Sequence, residues 1–177
     1  MSFQNLSYQM QVKIEVLDEM VEQGYIEPIK PLAEWLPTLC FYPKKTPKFV
    51  DAPGRLKQEF SQLFSWYAFS FPMFAFFQVR LERDYLKLIT IILLIITLIP
   101  SLPILPDLFL GILINIFVGK IFVFSRYYQY KTYGKCPTNR NIFSVICFSL
   151  IYLFAITLVF EPIHQTLYPN SSPSYLP

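Results

Sequence analysis

The sequence predicts an all-α polytopic membrane protein: three transmembrane helices, an aromatic interfacial or re-entrant helix, and an amphipathic cytoplasmic N-terminal helix. Three observations predict it. Hydrophobic residues make up 54% of the chain and charged residues only 15%, where soluble domains carry roughly 25% charge. Three apolar runs each approach the ~20 residues needed to cross ~30 Å of hydrocarbon. The lysines and arginines sort the ends of those runs onto two sides. The expected division is 1–62 as a cytoplasmic N-terminal region, 63–84 as the aromatic segment, 85–160 as the transmembrane unit and 161–177 as a short external tail.

The N-terminal helix is expected over residues 3–23. Leu6, Met10, Ile14, Leu17 and Val21 recur at spacings of three and four and so share one face. Gly24 is a natural stop, since glycine takes the left-handed conformation that follows a helix end. The opening residues lack both a basic n-region and an apolar h-region, so insertion is expected to use internal spans. The proline-punctuated stretches "EPIKPLAEWLP" and "FYPKKTPKFVDAPG" read as extended or turn segments. A second amphipathic helix should begin near 52–55, with Leu56, Phe60, Leu63, Phe64 and Tyr67 at helical spacing.

The segment Phe64 to Val79, "FSWYAFSFPMFAFFQV", is uncharged and rich in aromatic rings. As a span it would be slightly short and would hold Pro72 in its middle. It would also force basic segments onto the wrong side. Trp and Tyr favour the membrane–water interface. The segment is therefore expected to lie at the cytoplasmic interface or to re-enter shallowly, kinked at Pro72, with Trp66, Tyr67, Phe69 and Phe71 as interface anchors. An ordinary short span is the alternative.

The spans are expected at Tyr85 to Leu102, Asp107 to Ser125 and Asn141 to Phe160, as helices, because lipid leaves no other partner for backbone amides. Pro100, Pro103 and Pro106 tighten the first connection. Asp107 suits a helix start, and Glu161-Pro162 should break the last helix. Arg80, Arg83 and Lys87 precede the first span, and Arg126, Lys131, Lys135 and Arg140 follow the second. The 101–106 connection and the C-terminal tail hold no Lys or Arg. This asymmetry predicts a cytoplasmic N-terminus and an external C-terminus. Lys120, near the cytoplasmic end of its span, should snorkel to the headgroups.

The motif F-x-W-x-A-F-x-F, carried by Phe64, Trp66, Ala68, Phe69 and Phe71 ahead of a hydrophobic hairpin, together with Tyr127 and Tyr128 in "RYYQYKTYGK", resembles an uncharacterised family of small bacterial integral membrane proteins. Pro72 stands where that family usually has glycine, and Ala75 where it usually has a second tryptophan. The resemblance covers roughly 64–135. It implies a shared membrane architecture and a bacterial inner-membrane location, and no activity.

The residues offer little chemistry. The net charge of +3 is too small to imply nucleic acid. Three cysteines far apart, Cys40, Cys136 and Cys147, indicate neither a disulfide framework nor a zinc site. Glu161 and His164 are one turn apart, but two ligands do not make a metal site. No cofactor motif is present. The charged patch 80–87 offers an Arg80–Asp84 pair at i,i+4. The tyrosine-rich basic segment with Arg126, Tyr127 and Tyr128 is expected to meet anionic lipid headgroups. Gly111, Asn115 and Gly119, at i, i+4 and i+8, form a small-and-polar stripe suited to close helix packing, and Thr90 and Thr97 offer a complementary face. The stripe would meet either a neighbouring span of the same chain or a partner helix. The expected function is non-catalytic: an accessory, assembly or scaffolding subunit that binds lipid and a membrane-protein partner or a second copy. Transport of a small solute or lipid is an alternative, as is a membrane enzyme acting on lipid.

Overall fold

The computed structural model describes residues 6–98, 107–134 and 136–167. The chain is mostly helical. In order it runs α1 (Tyr8–Glu22), β1 (Pro31–Ala33), β2 (Leu36–Cys40), a 3-10 turn (Pro47–Asp51), α2 (Gly54–Ser61), α3 (Trp66–Ser70), α4 (Pro72–Gln78), α5 (Glu82–Leu98), α6 (Asp107–Tyr133) and α7 (Ile142–Leu167).

Helix α1 starts where Ser7 caps it, its hydroxyl accepting from the Met10 amide at 3.4 Å. It stops at Gly24, whose φ of 72° is left-handed. Met10, Ile14, Val16, Leu17 and Met20 are its buried residues, with Leu6 and Val21 packed alongside. The proline-rich segment does not simply extend. It folds into an antiparallel pair, Pro31 opposite Cys40 and Ala33 opposite Leu36, so the chain is not purely α-helical. The excursion closes at its base, where the Glu27 amide donates to the Lys44 carbonyl at 2.9 Å and the Thr46 amide to the Tyr25 carbonyl at 3.0 Å. Strand β2 packs on α6, where the Cys40 amide donates to Ser125 Oγ at 2.9 Å, both residues buried.

The aromatic segment is not one straight helix. Phe71, with φ −135° and ψ 63°, separates α3 from α4, and Pro72 occupies the first turn of α4. Proline is tolerated there because that amide has no helical acceptor. Ser65 caps α3, accepting from the Ala68 amide at 3.2 Å.

Two described helices are long and apolar enough to cross a membrane, Phe109–Tyr133 and Ile142–Ile163, with mean hydropathy 1.8 and 2.6. The first expected span begins as α5, while 99–102 fall outside the described residues. Two boundaries differ from the sequence reading. Helix α6 runs past Ser125 to Tyr133, so the basic segment after the second span is mainly helix rather than loop. Its charged and phenolic side chains have partners inside the protein, which removes the reason to unwind. Helix α7 also continues through Pro162 to Leu167. A proline removes one amide donor, and near a helix end few turns depend on it.

The core gathers around the second half of α6. Val118, Ile121, Phe122, Val123, Phe124, Tyr127 and Tyr130 are buried, against α1, β2, α3 and α4. Phe76 of α4 stacks on Tyr85 at 4.5 Å and meets Phe122 edge-on at 5.3 Å. Phe76 is thus a core ring.

Candidate functional site

Three groups of residues were expected to act, and the fold treats them differently. The stripe on α6 is divided. At Gly119 a side chain would meet the Phe64 ring at 2.6 Å and the Ser65 carbonyl at 3.2 Å. The Ser65 amide also donates to the Gly119 carbonyl at 3.1 Å. Gly119 is therefore where the aromatic segment presses on α6, and only hydrogen fits. Gly111 is exposed, with nothing within 4 Å of a would-be side chain. Asn115 lies half-buried between them. Thr90 reaches α7 rather than α6, its hydroxyl lying 3.0 Å from that of Tyr152. Thr97 lies in α5.

The charged patch is also rewired. The expected Arg80–Asp84 pair does not form. Asp84 is 2% exposed and accepts at Oδ2 from the Thr38 amide at 2.9 Å and from the Thr38 hydroxyl at 2.8 Å. Its Oδ1 takes Lys87 Nζ at 3.1 Å. Burial pushes the Asp84 carboxyl up, but the Thr38 and Lys87 interactions together outweigh it and hold the carboxyl below its usual value. Lys87 also donates to the Trp35 carbonyl at 2.9 Å. Glu82 pairs with Arg140, tying the starts of α5 and α7. Arg80 is exposed with a left-handed φ of 62°, and Arg83 is exposed.

Among the expected anchors, Trp66, Tyr67 and Phe71 are exposed, while Phe69 is half-buried and packed on Phe64 and Trp66. Lys120 and Tyr128 are half-buried. Arg126 and Tyr127 are core residues instead, 3% and 4% exposed.

Arg126, expected from the sequence to meet lipid headgroups, is instead buried, and its burial creates a distinct site. Its Nη1 donates to Gln129 Oε1 at 2.7 Å. Gln129 in turn donates to the Val79 carbonyl at 3.4 Å, which turns its amide oxygen toward the guanidinium. Among the described residues no carboxylate forms an ion pair with Arg126. Burial pushes the thiol of nearby Cys136 up, against a smaller opposing pull from Arg126, so no thiolate supplies the missing charge. In front of Arg126 lies a pocket of about 260 Å³ between α1, α3, α4 and α6. Lys13 lines it too, and donates to the Phe64 carbonyl at 2.6 Å. Burial pushes the Lys13 ammonium down from its ordinary value. Lys13 also borders a shallower hollow of about 600 Å³ shared with Lys120 and Trp66. The one sequence signal for this site is spacing. Phe122, Arg126 and Gln129 follow Gly119 at three, four and three residues, which puts the arginine on a packed face.

Among the described residues no three His, Cys, Asp or Glu side chains gather as a metal site requires. No family model, curated protein or solved structure matches the chain, so the functional reading rests on geometry.

Proposed function

We propose that this chain is a small integral membrane protein of the accessory or assembly type, with three spans, a cytoplasmic N-terminal unit and an external C-terminal tail, resident in a bacterial inner membrane. The observation that carries the partner-binding role is the divided stripe on α6. Gly119 is filled by the chain's own Phe64, while Gly111 stays open among exposed Phe109, Ile112 and Leu113. A small-residue notch on an apolar helix lets another helix approach closely. The occupant is a second copy or another membrane protein's helix.

The topology has its own support. The Glu82–Arg140 pair joins the starts of α5 and α7, and the Thr90–Tyr152 contact joins them further along. The two helices therefore leave the globular unit in the same direction, and α6, between them in the chain, runs back toward it. The C-terminal end of α7 then points away from the globular unit, which supports an external tail. The Ser65–Gly119 bond sits 12 residues into α6, about 18 Å from its start at 1.5 Å per residue. That is short of the ~30 Å of hydrocarbon. It favours the re-entrant form, with α3 reaching into the inner acyl layer and Trp66, Tyr67 and Phe71 turned toward lipid.

Cysteine substitutions at Gly111 and Asn115, crosslinked in native membranes, test the partner role. A defined adduct from these positions, lost when Gly111→Leu is introduced beside Asn115→Cys, is expected. Equal crosslinking from Gly111→Cys and from the opposite face would sink it. Reporter fusions at the two termini test the topology, and activity of both on one side of the membrane contradicts it.

A further inference from the structure

The structure assigns a second role to the buried Arg126: we propose that the pocket before it binds a phosphate group, as inorganic phosphate or as the headgroup of an anionic phospholipid. A charged guanidinium taken out of water is strongly disfavoured unless an anion or a full set of acceptors compensates. Guanidinium carries five N–H donors in a planar fork. Among the described residues, Gln129 accounts for one of them at 2.7 Å and no carboxylate pairs with the group. An anion seated in the pocket supplies further acceptors.

The rest of the pocket suits that ligand. Lys13 adds a second cation, and none of the lining residues is acidic. Ser7, Gln9 and Met10, at the N-terminal end of the 15-residue α1, turn the positive end of its dipole toward the hollow. Gln78 and Asn139 add amide groups. A volume of about 260 Å³ falls below the range typical of drug-sized ligands and suits a small anion or headgroup. Trp66, 73% exposed, stands at the mouth with an apolar face that acyl chains could cover. Gln129 is the positioning residue, since it holds the fork through its own bond to Val79.

The test uses the full chain in a neutral detergent without phosphate. Inorganic phosphate is titrated by calorimetry. Separately, phosphatidylglycerol, or phosphatidylcholine as the zwitterionic control, is added in mixed micelles and scored by native mass spectrometry. Saturable binding of inorganic phosphate identifies a free-phosphate site. Retention of phosphatidylglycerol over phosphatidylcholine without phosphate binding identifies a headgroup site. In either case Arg126→Met should weaken binding at least tenfold, and Arg126→Lys should recover only part of it, because a point charge cannot grip bidentately. Lys13→Gln, at the half-buried rim, should cost several-fold and provides the reading if Arg126→Met fails to fold. Absence of binding in both arms, or an unchanged dissociation constant in a folded Arg126→Met or Lys13→Gln, overturns the proposal.

Discussion

The two halves of α6 are one helix in two environments. From Phe109 to Ile116 most of its large side chains are exposed: Phe109 48%, Ile112 41%, Leu113 44% and Ile116 39%. From Val118 to Tyr127 every residue but the half-buried Lys120 is buried, with Ile121, Val123 and Phe124 at 0%. Hydropathy alone points the wrong way: the exposed half is the more apolar, and Lys120, Ser125 and Arg126 all fall in the half that protein covers. What distinguishes them is what comes to meet them. The second half attracts α1, β2, α3 and α4, while the first half is left for lipid or another helix. A continuous apolar run therefore states that a segment avoids water. It does not state whether protein or lipid covers it.

The widest gap between the halves should appear on truncating a phenylalanine in each. Phe124→Ala removes a fully buried ring and should destabilise by about 3–5 kcal/mol. Phe109→Ala, on the exposed half, should change stability within about 0.5 kcal/mol. Loss of monodisperse protein on heating in mild detergent reads both. Equal losses would mean that the first half is as firmly packed as the second.

The next effect concerns how the second half recruits its cover. Strand β2 is held to α5 by the buried Asp84 and to α6 by Ser125. Asp84→Asn keeps the shape and removes the charge, and should cost about 1–3 kcal/mol at neutral pH. Because its folded-state value is depressed below 3.8, the Asp84 contribution is fully present above that value and fades as pH falls through the folded-state value. The difference between wild type and Asp84→Asn should thus be constant from neutrality to about pH 5 and narrow at more acid pH. A difference that grows on acidification would contradict the assigned bonding.

These contrasts also show what the sequence could and could not convey. The periodicity of α1, its stop at Gly24 and the break at Pro72 are local properties, and local physics is legible. So are the apolar runs. The β1–β2 pair was not, because its strands are short and proline-bearing and are fixed by distant residues such as Ser125 and Asp84. Arg126 was read as a loop residue because charge following an apolar run ordinarily marks a membrane boundary. Its burial depends on Gln129 and Val79 and on a pocket wall supplied by α1, whose placement no local pattern encodes. Gly111 and Gly119 look equivalent in a spacing argument and differ only through Phe64, which is 55 residues from Gly119 in the chain.

That last pair gives a cleaner comparison. Gly119→Ala would set a methyl group 2.6 Å from the Phe64 ring and 3.2 Å from the Ser65 carbonyl. The ring can swing, but the carbonyl is fixed by the adjacent Ser65–Gly119 hydrogen bond, so about 1–3 kcal/mol of overpacking is expected. Gly111→Ala meets nothing and should stabilise by up to about 1 kcal/mol through helix propensity. Opposite signs at two glycines of one stripe, read by the same thermal assay, would establish that the aromatic segment rather than a neighbouring span occupies Gly119. Matching signs would return both glycines to a single helix-packing face.

The smallest expected effect lies where α5 meets α7. Tyr152 reaches Thr90 at 3.0 Å, whereas α7 packs chiefly on α4, with Val145 and Ser149 buried among its described side chains. Tyr152→Phe keeps the ring and removes one hydroxyl, so about 0.6 kcal/mol is expected, the scale of hydrogen bonds between membrane helices. The size matters more than the sign. If α7 is held mainly by lipid and by its tie through Arg140 to Glu82, then Arg140→Gln should loosen it more than Tyr152→Phe. Proteolysis between α6 and α7 would report this as faster cleavage near Thr138 and Asn139. If Tyr152→Phe proves the more damaging change, the α5–α7 contact is a packed core in its own right, and the first half of α6 remains an exposed apolar surface open to a partner.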